Sequence, residues 1–117
     1  MRYVMLICGE EADWDGLSPE EAEAAMDRIN AWMEKWRAAG KILPGAEELD
    51  SVHKAKTIRR GPDGPVVTDG PYLELKEVIG GFFRLEADNI DEAVAIAAEW
   101  PLLTGTGSVE VRPVIER

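Results

Sequence analysis

With 117 residues and a mass of 12.9 kDa, the chain has the size of one ordinary domain, covering residues 1–117. Its 45% hydrophobic and 31% charged residues suit a folded core and exclude both a disordered chain and a membrane protein. Thirteen basic residues against 23 acidic ones give a formal charge of −10, which opposes direct binding to nucleic acid or to anionic membranes. The single cysteine, Cys8, cannot form an intramolecular disulfide, and the apolar opening is too short for a signal peptide. We therefore expect a cytoplasmic protein.

The first third of the chain predicts a strand, a loop and a long helix. Residues 3–8 are apolar at both alternating sets of positions, as in a strand that is covered on both faces. An acidic loop carrying Trp14 is expected at residues 9–17. Residues 18–21 (SPEE) then combine an N-cap serine, a proline at the first helical position and a glutamate at the third. A helix with one apolar face follows and ends near Gly40.

The rest of the chain predicts strands, one ribbon and a shorter helix. Apolar alternation and turn residues place strands at residues 42–49, 55–60, 66–68, 78–85 and 108–115. The second and third of these form a ribbon around the turn at residues 61–64 (GPDG). A second capping box at residues 89–92 begins a helix that Trp100-Pro101 ends.

Taken together, the elements follow the order β-α-β-β-α-β with an extra ribbon between the central strands. This order predicts an α+β fold of the ferredoxin-like kind, an antiparallel sheet with both helices on one face. Two helices cannot cover both faces of the sheet, although its strands at residues 3–8 and 78–85 are apolar on both sides. A second copy of the sheet is the simplest cover, so we expect a homodimer.

The segment 67–77 (VTDGPYLELKE), followed by IGGFF at residues 79–83, resembles the YCII-related proteins of the DGPF type. The resemblance runs from YVMLI at residues 3–7, through LSPEE at residues 17–21, to GSVEVRP at residues 107–113. The motif normally has phenylalanine where this chain has Tyr72. The resemblance implies a dimeric α+β barrel in the bacterial cytoplasm.

What the resemblance implies about function is limited. The wider family includes a few enzymes, among them a dehydrochlorinase, and some relatives are encoded with or fused to extracytoplasmic-function sigma factors. The family's active site is thought to be a His-Asp pair early in the fold. The first helix of this chain contains no histidine, so that pair cannot be carried over.

The charged segment around the Gly-Pro turn is the best candidate site. If it lines a cleft, Asp69 is a candidate general base, steered by Lys76, while Glu74 or Glu77 holds the lysine. The alternative is structural: Asp69 caps the turn, and the other charges are solvated on the ribbon. The candidate ligand-binding residues are Trp14, Gly70, Pro71, Tyr72 and Glu77.

Other candidate residues carry weaker signals. His53 is better explained as a surface residue than as a proton carrier, and no ligand spacing for a metal surrounds it. Cys8 is better explained as a small apolar residue than as a nucleophile. Gly9 and Gly80-Gly81 lack the spacing of a nucleotide-binding loop, so no cofactor is predicted.

Two functions remain open at this point. The first is a homodimer that binds a small organic molecule in a cleft of each protomer, with acid-base catalysis by Asp69 and its neighbours. The second is a non-catalytic accessory or regulatory module that acts through protein contacts, in a sigma-factor context by analogy with the family.

Overall fold

An antiparallel sheet of four strands forms the centre of the computed structural model, which describes residues 1–71 and 77–117. Within those ranges the predicted strands and helices occur in the predicted order, with one additional short α-helix. In chain order they are β1 (Arg2–Gly9), α1 (Glu11–Asp15), α2 (Pro19–Ala38), β2 (Ile42–Glu48), β3 (Lys56–Gly61), β4 (Gly64–Asp69), β5 (Val78–Glu86), α3 (Ile90–Ala97) and β6 (Ser108–Pro113). The order across the main sheet is β2-β5-β1-β6, and β3 pairs with β4 in a separate two-stranded sheet. The α+β class and the inserted ribbon are confirmed.

The two strands predicted to be interior are the two central strands of the sheet. In β1, Tyr3 lies opposite Leu85 of β5, and Met5 lies opposite Phe83. On its other side, β1 pairs with β6 along nearly its whole length. Paired residues of antiparallel strands share a face. The side chains of this face are all buried: Tyr3, Met5, Phe83 and Leu85.

Both long helices pack on that same side of the sheet. Trp32 of α2 lies edge-on against Phe83 at 5.0 Å between ring centroids, and its Nε1 donates to the carbonyl of Ile96 in α3 at 3.1 Å. Trp32 therefore joins the sheet and both helices in one core. The core also includes Tyr3, Met5, Ile42, Leu85, Ala87, Ala93, Ala97 and Trp100.

The helix starts follow the predicted caps, with one difference. The Ser18 hydroxyl accepts from the Glu21 backbone, and the Glu21 carboxylate accepts from the Ser18 backbone, so this capping box is complete. At the start of α3, Asn89 accepts from the Glu92 backbone. The Glu92 carboxylate accepts from the Lys41 ammonium at 2.7 Å and from the backbone N–H of Asp88 at 3.3 Å, rather than from the backbone of Asn89. The second capping box is therefore only half formed.

The opposite face of the sheet carries no long helix. Leu6 of β1 and Phe82 of β5 are register partners there, and both are only half-buried. Val4 and Arg84 form the neighbouring pair on the same face. We call the apolar patch formed by Val4, Leu6 and Phe82 the open face.

Strands β3 and β4 form a ribbon that stands apart from the main sheet. Ile58 pairs with Val67, and Arg60 pairs with Pro65 at the far end. Residues 56–69, which we call the arm, are exposed along most of their length.

One predicted loop is partly helical. Residues Glu11–Asp15 form the short helix α1, where only an acidic loop was expected. Two acidic residues in its first turn interact favourably with the positive end of the helix dipole.

In the described ranges, no helix combines the length and the hydropathy that crossing a membrane requires.

Candidate functional site

An open groove of about 680 Å³ lies where β1, β5 and β6 meet at one end of the main sheet. Five apolar residues form much of its lining: Val52, Pro71, Val78, Ile79 and Val109. Four residues add polar groups: Cys8, Glu77, Ser108 and Glu110. An apolar surface with a few polar groups is the usual lining of a site for a small organic molecule.

A sheet irregularity shapes this groove. Ile7 lies opposite Gly81, whereas the next residue, Cys8, lies opposite Ile79, so the register of β1 and β5 shifts by one residue. Gly80 is the residue passed over. Such bulges redirect side chains, and here the shift brings Cys8 and Ile79 together in the groove lining.

The turn that leads into the groove is fixed by backbone contacts. The Gly70 N–H donates to the carbonyl of Ala55 at 2.7 Å, and the Thr57 hydroxyl donates to the carbonyl of Gly70 at 2.7 Å. Gly70 has a φ of 83°, a conformation that residues with a Cβ rarely adopt. Gly70 therefore positions Pro71, which lines the groove.

The predicted general base lies elsewhere. Asp69 ends β4, with its side chain 86% exposed, and its carboxylate accepts from the Lys56 ammonium at 2.5 Å across the arm. Asp69 is not one of the residues that line the groove described above. Its contact with Lys56 also differs from the turn cap that formed the structural alternative. A catalytic role for Asp69 stays a prediction.

Of the predicted site residues, the structure brings Pro71 and Glu77 together in the groove, with Gly70 beside them. Trp14 is exposed on α1 and is not part of the lining. Tyr72, Glu74 and Lys76 lie outside the described residues, so their predicted roles stay predictions.

The electrostatics of the groove hold Cys8 in its neutral form. Partial burial raises the pKa of the Cys8 thiol, and the carboxylates of Glu110 and Glu77 raise it further. The thiol is therefore protonated at neutral pH, and its acceptor is the carbonyl of Leu6 at 3.8 Å. A protonated thiol is a weak nucleophile. This agrees with reading Cys8 as a small apolar residue.

Sequence reasoning missed two carboxylates that fix α1 beside the groove. Glu11 accepts from the Ser51 hydroxyl at 2.9 Å and from the backbone of Val52 at 2.8 Å. Asp13 accepts from the backbone and the hydroxyl of Thr106. Glu11 thereby holds a residue that lines the groove. Glu11 and Asp13 lie in an acidic stretch, where a carboxylate is expected to be solvated, so no sequence signal distinguished them from their neighbours.

These bonds predict that α1 detaches in acid. The bonds from Val52 and Ser51 lower the pKa of Glu11, and those from Thr106 lower the pKa of Asp13. Each bond set thus stabilises the fold fully above the carboxylate's unfolded pKa of about 4, and this stabilisation disappears as the pH falls through the lower folded pKa. We expect the backbone amide NMR signals of Glu11–Asp15 in the wild-type chain to move towards unfolded positions over that range, before the signals of the main sheet do.

Isosteric substitutions at pH 7 test the same contacts, with Asp15→Asn as the matched control. Glu11→Gln and Asp13→Asn should each lower Tm, since they weaken charge-assisted bonds, while Asp15→Asn should leave it unchanged. An equal decrease in Tm for all three variants would show that stability depends on net charge rather than on these contacts.

His53 and the acidic side chains of the described ranges do not form a metal-binding cluster. No group of three His, Cys, Asp or Glu side chains there is placed to hold a metal ion. His53 is exposed in a single turn of 3-10 helix, Val52–Lys54, where its backbone donates to the Ser51 hydroxyl.

Comparison with known proteins extends over the whole chain. The family model of the YCII-related domain matches residues 1–117. The chain is also 34% identical over 115 residues to an uncharacterized protein of Rhizobium meliloti (strain 1021), with 97% of this chain and 92% of that protein covered. Both matches therefore include the main sheet, the arm and the groove.

Proposed function

Since this chain belongs to the YCII-related domain family, we propose that it is a homodimer that binds a small organic molecule in the groove beside Pro71 and Glu77. The observation that carries the proposal is the composition of the groove. Apolar side chains from three parts of the fold meet there around two carboxylates, a hydroxyl and a thiol. Burial of an organic ligand against the apolar part would supply affinity, and the polar groups would fix its orientation.

The homodimer is supported by the open face. Leu6 and Phe82 are adjacent on the two central strands and only half-buried, and a contiguous apolar patch of this kind marks an interaction surface. The open face of a second copy would complete a closed two-layer structure, the dimeric barrel expected from the resemblance. Cys8 and Ile79 continue from this face into the groove, so a second copy would deepen the groove.

A non-catalytic accessory module is the second candidate, and the position of Asp69 favours it. A general base must reach the proton that it removes, and its reactivity increases when it is partly desolvated. Asp69 instead lies in solvent, where its carboxylate is paired with the Lys56 ammonium and is not part of the groove. Small-molecule binding without turnover would suit a module of this kind.

The binding proposal predicts a selective effect of filling the groove. Backbone amide NMR spectra recorded with a library of small organic molecules should show shifts at groove residues such as Ile79 and Val109. Ser108→Phe should weaken the best ligand by about tenfold or more, because the new ring occupies the groove. Val94→Phe, on the exposed side of α3, adds the same bulk elsewhere and should leave affinity unchanged.

The same samples distinguish the two candidate functions. A ligand recovered chemically altered after incubation supports catalysis, and one recovered intact supports the accessory module. Shifts confined to residues far from the groove, or equal affinities in the two variants, would contradict the proposed site.

A further inference from the structure

The arm presents apolar side chains that nothing in the described part of the chain covers. Ile58 and Val67, partners in the register of β3 and β4, are 67% and 57% exposed. Val66 on the other side of the ribbon is also exposed. A two-stranded ribbon is at best marginally stable in water without packing against another surface. Packing against another surface would therefore stabilise the arm.

The charge of the arm indicates what that partner is. The arm, residues 56–69, contains three basic and two acidic residues, whereas the rest of the chain contains ten basic and 21 acidic residues. Lys56 and Arg60 are spaced by two from Ile58, so all three lie on the same face of β3. That face combines an apolar centre with the Arg60 guanidinium at one end and the Lys56–Asp69 ion pair at the other. It fits a negatively charged surface that also exposes apolar side chains.

This chain itself carries such a surface. Residues 10–27 contain eight acidic residues and no basic ones. Trp14 and Met26 are exposed within the same stretch. An indole ring can bind an arginine guanidinium over its face as well as pack against aliphatic side chains. The exposure of Ile58 and Val67 shows that the acidic surface of the same copy does not cover them.

We propose that the arm of each copy docks on the acidic surface, residues 10–27, of a second copy. The inference rests on the homodimer of the proposed function and specifies a contact beyond the open face. Two-fold symmetry makes the exchange reciprocal, so each dimer contains two such contacts. The contact also offsets the repulsion between two copies that each carry a charge of −10.

Sedimentation equilibrium of charge-reversal variants tests this contact. Lys56→Glu combined with Arg60→Glu should raise the dimer dissociation constant by about tenfold or more, since attraction becomes repulsion. Arg37→Glu combined with Arg117→Glu makes the same change in net charge at exposed positions outside both the arm and the acidic surface. This control should have a much smaller effect, and circular dichroism should show that both variants remain folded.

Charge reversal on the acidic surface, residues 10–27, allows a rescue experiment. Asp15→Lys with Glu23→Lys should also weaken the dimer, and adding the two arm reversals should restore it, because the charges are then exchanged and the net charge returns to −10. Equal weakening by the arm and control variants, or no rescue, would overturn the arm contact while leaving a dimer through the open face. A wild-type chain that sediments as a monomer would overturn the homodimer itself.

Discussion

Phe83→Glu is expected to unfold the chain. Phe83 is only 7% exposed, and its ring contacts Trp32 and Trp100 at 5.0 and 5.6 Å between centroids. Removing a buried phenylalanine side chain alone costs about 3–5 kcal/mol, and an unpaired carboxylate in its place costs several more. Domains of this size have a total stability of about 5–15 kcal/mol. Circular dichroism should therefore show loss of the folded state.

The adjacent residue provides the contrast. Phe82 belongs to the open face, so Phe82→Glu introduces the same charge where the single copy is partly solvated. This variant should keep its secondary structure and sediment as a monomer. If Phe82→Glu unfolded the chain as Phe83→Glu does, the open face would belong to the core of each copy. A Phe82→Glu dimer as tight as wild type would contradict the proposed assembly.

Trp32→Ala is expected to produce the second-largest loss of stability, about 3–5 kcal/mol in the free energy of unfolding. The substitution removes a buried side chain that contacts the sheet, and it leaves the carbonyl of Ile96 without its indole donor. Urea denaturation followed by circular dichroism measures the change. Trp14→Ala is the matched control, because Trp14 is exposed and its loss should cost far less. Comparable losses at both positions would place Trp14 in the core.

Most of the fold could be predicted because apolar spacing and caps act locally. The pattern at residues 3–8 predicted a central strand, and Ser18 with Glu21 predicted where α2 begins. Trp32, on the apolar face predicted for that helix, does lie in the core. The sequence could not decide whether Phe82 or Phe83 faces the helices, because both alternating faces of β5 are apolar. The register of β1 with β5 places Phe83 on the side of the helices and Phe82 on the open face.

The candidate site was less predictable, because its contacts join distant parts of the chain. The charged segment drew attention to Asp69, yet the structure pairs Asp69 with Lys56 on the arm. The flanking residues Pro71 and Glu77 do line a groove, but its other walls come from β1, β6 and Val52. Helix α1 was missed for the same reason, since bonds to Ser51 and Thr106 fix it.

The central place of β1 in the sheet has a consequence for synthesis on the ribosome. Strand β1 is made before its hydrogen-bonding neighbours β5 and β6, which begin at Val78 and Ser108. The nascent chain must therefore carry an unpaired apolar strand until most of the polypeptide has emerged. Such non-local pairing slows folding and leaves strand edges open to association with other chains. The acidic stretch that follows β1 places negative charge beside that strand throughout the delay, which opposes its association with other nascent copies.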